Sequence, residues 1–126
     1  SSFLETKMSM TFNATDRARR QSPYRNTNLL AADQQVKAGA TDVEYLNVYN
    51  PDTALAYLQL YDALAADVTV GTTVPTHSIP IPAGAIYDVQ LVQAMQFDVG
   101  LTIAMTTTPG GAVAPGTGAV VNARYV

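Results

Sequence analysis

Strand-forming and apolar residues recur from residue 43 onward in short runs that are separated by turn signals. Residues 44–49, Glu-Tyr-Leu-Asn-Val-Tyr, are rich in side chains that favour strands. They end at the sequence Asn-Pro-Asp-Thr of residues 50–53, which combines several turn-forming residues. A second run, residues 55–61, follows directly. We therefore predict two strands joined by this turn, and we expect them to pair as a β-hairpin.

The run over residues 55–61 alternates in the way that a strand does. Ala56, Leu58 and Leu60 fall on one face, and the other face carries Leu55 and polar or aromatic side chains. A helix over residues 53–66 is the alternative, because alanine and leucine are frequent there. The alternation and the tyrosines favour the strand.

The rest of this region consists of further short strands and one long loop. Pro80 and Pro82 alternate with isoleucine, and because proline donates no hydrogen bond to a sheet, this segment is expected at a sheet edge. Residues 107–118 contain two prolines and four glycines and are predicted to form a loop. About six or seven strands in all indicate an all-β fold, either a β-sandwich or a jelly-roll-like barrel. Further strands are predicted at residues 86–92, 94–97, 101–106 and 119–126.

The chain divides into two regions of different pattern and charge. Residues 1–41 show no sustained strand or helix period, and we predict that they form an extended N-terminal arm. Residues 42–126 are predicted to form the β-sandwich body. The arm carries six basic residues against three acidic ones, whereas the body carries Arg124 alone against seven acidic residues. This separation of charge favours contact between the arm and an acidic protein surface.

The arm is predicted to bind a partner subunit. Guanidinium groups pair with carboxylates through two parallel hydrogen bonds, and apolar side chains add buried area. Nucleic acid is an unfavoured partner, because the arginines are interleaved with Asp16 and the whole chain has a net charge of -3. A free, solvated tail is the alternative. The residues assigned to the contact are Phe3, Leu4, Phe12, Arg17, Arg19, Arg20 and Arg25.

Four tyrosines are concentrated in the predicted hairpin: Tyr45, Tyr49, Tyr57 and Tyr61. Packing across the two strands, in the core or on one sheet face, is the simpler interpretation. The alternative is a protein interface, where tyrosine combines a large apolar ring with a polar hydroxyl.

The chain offers little for catalysis. It contains one histidine, His77, and no cysteine, so it can build neither a thiol–imidazole pair nor a histidine-rich metal site. Asp62 and Asp67 flank an alanine-rich stretch that supplies few further calcium ligands. We predict a non-enzymatic protein without a cofactor or a metal. The lack of cysteine suits a reducing cytoplasm, and the lack of a long apolar stretch or signal peptide predicts a soluble protein with no membrane partner.

Residues 43–108 resemble small β-rich proteins encoded in the genomes of tailed bacteriophages. The resemblance includes Ala104 and Thr106, which follow the last motif. It carries no catalytic residues over to this chain. The motifs are Tyr57-Leu58-Gln59-Leu60-Tyr61-Asp62, Val70-Gly71-Thr72-Thr73-Val74-Pro75, Ile79-Pro80-Ile81-Pro82-Ala83-Gly84 and Phe97-Asp98-Val99-Gly100-Leu101.

The resemblance implies a structural virion component that is assembled in the host cytoplasm. A capsid decoration or cement protein is the leading expectation, with the major capsid protein or other virion subunits as partners and a homo-oligomeric body at a symmetry axis. The alternative is a tail, fibre or receptor-binding module, in which the loop of residues 107–118 faces a host glycan or protein.

Overall fold

A computed structural model of the protein describes residues 20–126, which form eight β-strands. A turn of 3₁₀-helix, Ala65–Asp67, lies between the fourth and fifth strands. No helix within residues 20–126 is long and apolar enough to cross a membrane. The strands are β1 Ser22–Leu29, β2 Gln34–Ala38, β3 Thr41–Tyr49, β4 Ala56–Asp62, β5 His77–Ile81, β6 Ile86–Phe97, β7 Gly100–Thr106 and β8 Ala119–Tyr125.

The strands form two antiparallel sheets of four strands each. Sheet A has the order β1-β8-β3-β6, and sheet B has the order β2-β7-β4-β5. Consecutive strands β1 to β4 alternate between the sheets, and the last strand lies between β1 and β3. Eight strands connected in this way form a jelly roll. The structure therefore confirms the all-β fold, which was predicted to be either a β-sandwich or a jelly-roll-like barrel.

The hydrophobic core lies between the two sheets. It follows the period of two that a strand imposes, so that Leu46 and Val48 of β3 face Leu58 and Leu60 of β4 across the sandwich interior. Burying one such side chain completely stabilises the fold by about 1.5–3 kcal/mol. The buried members of this cluster are Leu29, Val43, Leu46, Val48, Ala56, Leu58, Leu60, Ile81, Phe97, Leu101, Ile103, Met105, Ala119, Val121 and Ala123.

The predicted hairpin between the first two strand runs is wrong. β3 belongs to sheet A and β4 to sheet B, so the turn between them takes the chain from one sheet to the other. Asn50 stabilises this crossing from a fully buried position. Its side-chain amide donates to the carbonyl oxygens of Ala54 at 3.0 Å and of Ile81 at 2.8 Å. Because the same turn residues suit a hairpin and a crossing between sheets, the sequence pattern predicted the turn but not the pairing.

Two other local predictions for this region are confirmed, and a third is confirmed in part. β4 confirms the strand that competed with a helix over residues 53–66. β5 is an edge strand of sheet B, as the two prolines predicted, and Pro80 lies opposite Tyr57 of β4. The predicted strands at residues 86–92 and 94–97 form the single strand β6.

β6 contains a bulge where it pairs with β3. Tyr45 lies opposite Gln90 and Val43 lies opposite Met95, so five residues of β6 span the same distance as two residues of β3. Such an insertion bends the strand locally and increases its twist. The sequence pattern broke at this point, which is why two strands were predicted instead of one.

The predicted boundary between arm and body at residue 41 is too late. β1 and β2 both precede it, and they pair along β8 and β7 respectively. Both lie at sheet edges and are largely exposed, so they lack the apolar alternation by which the other strands were found. The body therefore includes residues 22–41, and only residues 1–19 fall outside the described chain.

Candidate docking surface on the outer face of sheet A

The two outer faces of the sandwich differ in how much of the chain covers them. On sheet B, Tyr61 and Ala104 form a second buried cluster with Val68, which belongs to the long connection between β4 and β5. Ala63 and Val70 of the same connection pack against this cluster. The connection therefore folds back over the outer face of sheet B, and Tyr61 is only 1% exposed although it points away from the main core.

Gln59 extends this cover toward the loop of residues 107–118. Its side chain is fully buried, and its amide donates to the Thr106 hydroxyl at 2.9 Å and to the Thr108 carbonyl oxygen at 3.3 Å. Its amide oxygen accepts a hydrogen bond from the Ser78 hydroxyl. The Thr106 hydroxyl also donates to the Thr108 carbonyl oxygen at 2.8 Å. These bonds hold β4, β5, β7 and the start of the loop together.

The outer face of sheet A carries no comparable cover from residues 20–126. Tyr49 is 38% exposed and Ile86 is 65% exposed, although both belong to strands. The strand register places the outward-facing residues in rows that run across the sheet. We call this surface the sheet A face. It consists of Pro23, Arg25, Tyr45, Asn47, Tyr49, Ile86, Asp88, Gln90, Val120, Asn122 and Arg124.

One row of the sheet A face is a polar ladder that crosses all four strands. Arg25 lies opposite Asn122, Asn122 opposite Asn47, and Asn47 opposite Asp88. The Asn122 side-chain amide donates to Oδ1 of Asn47 at 3.4 Å, and the Asn47 side-chain amide donates to the Asp88 carboxylate at 3.2 Å. The Asn122, Asn47 and Asp88 side chains of this row are therefore linked before any partner binds.

Tyr45 joins the ladder from the neighbouring row. Its hydroxyl donates to the Asp88 carboxylate at 2.6 Å. This hydrogen bond, together with the weaker one from Asn47, lowers the pKa of Asp88. The same bond to Asp88 raises the pKa of Tyr45, with burial and the negative charge of Asp88 adding to the effect. Asp88 is therefore ionised at neutral pH, and its hydrogen bond with the Tyr45 hydroxyl fixes the orientation of the Tyr45 ring.

A polar groove of about 470 Å³ opens beside Tyr45. Arg124 lies opposite Tyr45 in the strand register, and Gln90 of β6 lies on the other side. Gln21, just before β1, donates its amide to the Glu44 carboxylate at 2.8 Å and closes the rim. The groove thus combines a guanidinium group, a phenol ring and carboxamides, which are groups that protein interfaces use often.

Among the acidic side chains of the described residues, Asp62 has a clear structural role. Among residues 20–126 no group of three or more histidine, cysteine, aspartate or glutamate residues is placed to hold a metal ion. The Asp62 carboxylate accepts the backbone N–H groups of Val99 at 2.8 Å, Asp98 at 3.1 Å and Gly100 at 3.4 Å. These bonds, with the one from Val99 strongest, lower the pKa of Asp62. Asp62 therefore stabilises the turn between β6 and β7.

The arm residues have different outcomes. Phe3, Leu4, Phe12, Arg17 and Arg19 lie outside the described residues, so their assignment to a partner contact stays a prediction. Arg20 is the first described residue and is exposed.

Arg25 was assigned to the arm, and this is wrong. It lies on β1 opposite Asn122 and forms one end of the polar ladder. The edge position of β1 makes most of its residues exposed, which made the segment resemble an unstructured arm in sequence.

The four tyrosines do not share one surface. Tyr45 and Tyr49 lie on the sheet A face, whereas Tyr57 and Tyr61 lie on β4 of sheet B. Tyr61 is buried in the second cluster, so it contributes to packing and not to an interface. The sheets separate the two pairs because β3 and β4 do not form the predicted hairpin.

Sequence reasoning missed most of the sheet A face. Asn47, Asp88, Asn122 and Arg124 come from three strands that are far apart in the chain. The alternation of Asn122 and Arg124 with buried residues in β8 was visible in the sequence. Their relation to Asp88 depends on which strands are neighbours in sheet A, and the alternation within each strand does not specify this.

Comparison with known proteins identifies no family for this chain. No protein-family model matches the chain, and no curated protein matches it in sequence. One solved structure, from work titled "Bacillus endospore appendages form a novel family of disulfide-linked pili", is 14% identical and covers 84% of this chain and 88% of its own. Its TM-score of 0.37 is too low to support an argument about fold or function. The fold assignment therefore depends on the sheet topology described above.

Proposed function

We propose that this protein is a structural subunit of a tailed-bacteriophage virion, a capsid decoration or cement protein that stabilises neighbouring capsomers. The sheet A face is the surface that binds the shell. The observation that carries this proposal is the contrast between the two outer faces. Within residues 20–126, loops cover sheet B, whereas the sheet A face presents arginine, tyrosine and carboxamide side chains to solvent.

The fold and the sequence motifs are both compatible with this proposal. Jelly rolls are frequent in viral capsid domains, although they also occur in lectins and cupins. The motifs in residues 43–108 resemble those of phage virion proteins. Because one fold hosts many functions, the proposal is based on the residues of the sheet A face.

The composition of the sheet A face favours a protein partner with an acidic surface. Tyrosine and arginine are the residues that most often dominate binding energy at interfaces. Asp88 and Glu44 already accept hydrogen bonds from within the chain. The exposed guanidinium groups of Arg25 and Arg124 are then the charged groups of this face that can pair with carboxylates of a capsid subunit. The internal hydrogen bonds of the ladder reduce the ordering cost of binding.

The test is cosedimentation of the purified protein with shells built from the major capsid protein of the same virus. The double variant Arg25→Ala/Arg124→Ala should weaken binding at least about tenfold, because each arginine contributes at least about 1 kcal/mol at a central interface position. Val113→Ser, an exposed change in the loop of residues 107–118, is the matched control and should bind normally. Binding should also weaken as ionic strength rises.

A chain that begins at Arg20 separates the sheet A face from the N-terminal segment. Shell binding that survives this truncation assigns the contact to the body. Deletion of residues 1–41 is unsuitable for this purpose, because it removes β1 and β2 from the two sheets. The proposal is overturned if the wild-type protein does not bind shells, or if the double arginine variant binds them as tightly as the wild type.

A receptor-binding module of the virion tail is the second candidate, and one feature favours it. A cleft of about 370 Å³ lies between residues 71–75 and the start of the loop of residues 107–118. Its lining includes Thr72, Thr73 and Ser78, and residues with hydroxyl groups suit a glycan site. In this case Val113→Ser and changes in the cleft should impair attachment to host cells, while the arginine variant should attach normally.

A further inference from the structure

The four sheet edges of the sandwich differ in how well they are protected against pairing with another chain. β5 contains Pro80 and has five residues, and β2 has five residues and carries Lys37. β1 carries Pro23 and Arg25 and has a register shift near its end. Short length, proline, positive charge and bulges are the features that natural proteins use to prevent edge pairing. Three of the four edges are therefore protected.

β6 is the least protected edge, since its bulge lies between Gln90 and Met95 and Asp88 is its only charged residue. It has twelve residues without proline, lysine or arginine, and within residues 20–126 it pairs only with β3. Residues 86–92 alternate regularly between exposed and half-buried positions. Residues 86–90 pair one by one with β3, and Val92 keeps the alternation although it lies in the bulge between Gln90 and Met95. Ile86 and Val92 are 65% and 107% exposed. An edge strand with these properties is a template for the addition of another strand.

The side chains of this segment complement themselves in one register. When two copies of a strand pair about a two-fold axis, the residue at the axis lies opposite itself and its neighbours pair symmetrically. With Val89 at the axis, Ile86 of each copy lies opposite Val92 of the other, and Asp88 lies opposite Gln90. An axis at Asp88 would instead place two carboxylates directly opposite each other, which is destabilising.

We infer that β6 pairs antiparallel with β6 of a second copy of this chain, about a two-fold axis at Val89. The pairing joins two copies of sheet A into one sheet of eight strands. It covers the two most exposed apolar side chains of β6 with each other, and it gives each Asp88 carboxylate a carboxamide donor from the partner. The sheet A faces of both copies then lie on the same side of the joined sheet. This inference does not depend on the proposed function.

Disulfide crosslinking tests the register directly, because the natural sequence contains no cysteine. Ile86→Cys and Val92→Cys are made as separate variants, mixed in equal amounts and oxidised. Residues opposite each other in an antiparallel pair have Cα atoms about 4.5–5.5 Å apart, within the range of a disulfide. The mixture should therefore form a covalent heterodimer. Each variant alone should not crosslink, because six residues separate the two identical cysteines by about 20 Å along the strands.

Sedimentation equilibrium of the full chain tests the association itself. Val92→Lys should raise the dimer dissociation constant about tenfold, because the change occurs twice in a two-fold dimer and places a charge against Ile86. Val74→Lys is the matched control, since Val74 is 85% exposed on a loop away from β6, and it should leave the constant unchanged.

Three results would overturn the inference. The first is a wild-type chain that stays monomeric at the highest concentration reached. The second is crosslinking of either cysteine variant alone as fast as the mixture. The third is an association that Val92→Lys and Val74→Lys weaken equally.

Discussion

Gln59 offers a sensitive test of how the outer face of sheet B is held together. Replacing it by methionine keeps the length and approximate volume of the side chain but removes its amide group. The substitution deletes three hydrogen bonds, two donated to Thr106 and Thr108 and one accepted from Ser78. Since Gln59 is fully buried, water cannot replace the lost amide at this position.

The expected loss follows from what each former partner can still do. Three neutral hydrogen bonds contribute about 1 kcal/mol each. The Thr108 carbonyl oxygen keeps its bond from the Thr106 hydroxyl, and Ser78 is only half-buried and can turn to water. The extra penalty for stranded polar groups is therefore small, and burial of the methionine thioether offsets part of the loss. We expect Gln59→Met to lower the free energy of unfolding by about 2–3 kcal/mol.

Urea denaturation followed by circular dichroism measures this difference directly. Gln34→Met on β2 is the control, because Gln34 is exposed, and its free energy of unfolding should stay within about 0.5 kcal/mol of wild type. Adding Ser78→Ala to Gln59→Met should cost less than Ser78→Ala costs alone, since the two residues share one bond. A loss below about 0.5 kcal/mol for Gln59→Met would refute the reasoning, because the network would then contribute nothing.

Two further predictions concern single polar groups. Asp62→Asn should lower the free energy of unfolding by about 1 kcal/mol at neutral pH, a modest value because the carboxylate is largely solvated. Folding lowers the pKa of Asp62 below its ordinary value of 3.8, so the stability advantage of the wild type should vanish as the pH falls through the folded-state pKa. The free energies of unfolding of both proteins, measured against pH, should therefore converge in acid. A constant difference down to low pH would contradict this. The Tyr61 hydroxyl is buried without a hydrogen-bond partner among residues 20–126, and burial raises its pKa. Tyr61→Phe should therefore leave thermal stability unchanged or raise it by up to about 1 kcal/mol, whereas a loss of that size would mean that the hydroxyl is bonded in the folded protein.

Much of the fold could be predicted wherever the cause was local. Alternation in β4 placed Leu58 and Leu60 in the core, because a strand turns every second side chain to the same face. Pro80 indicated a sheet edge, since it cannot donate to a ladder. Glycine and proline between residues 107 and 118 indicated a loop, and the structure has no strand there. In each case a few neighbouring residues determined the outcome.

What escaped prediction depended on partners that are distant in sequence. β1 is stabilised by β8, some ninety residues further along the chain, and its own exposed residues carry no strand period. The polar ladder joins β1, β8, β3 and β6, so that even a correct list of strands would not have brought Arg25 and Asp88 into one row. Tyr45 was identified as an interface candidate, but its bond to Asp88 follows from the pairing register alone.

The position of β8 within sheet A determines when that sheet can form during synthesis. β8 is the last of the eight strands to leave the ribosome, yet it lies between β1 and β3. Until it emerges, β1 has no neighbour in the sheet, and β3 can pair only with β6. Sheet B contains only β2, β4, β5 and β7, so all its strands are available earlier. Strand pairings between distant parts of a chain form slowly and leave apolar edges exposed meanwhile. Chains that end before residue 119 should therefore carry a complete sheet B beside an incomplete sheet A, and they should be the species that chaperones capture and proteases remove.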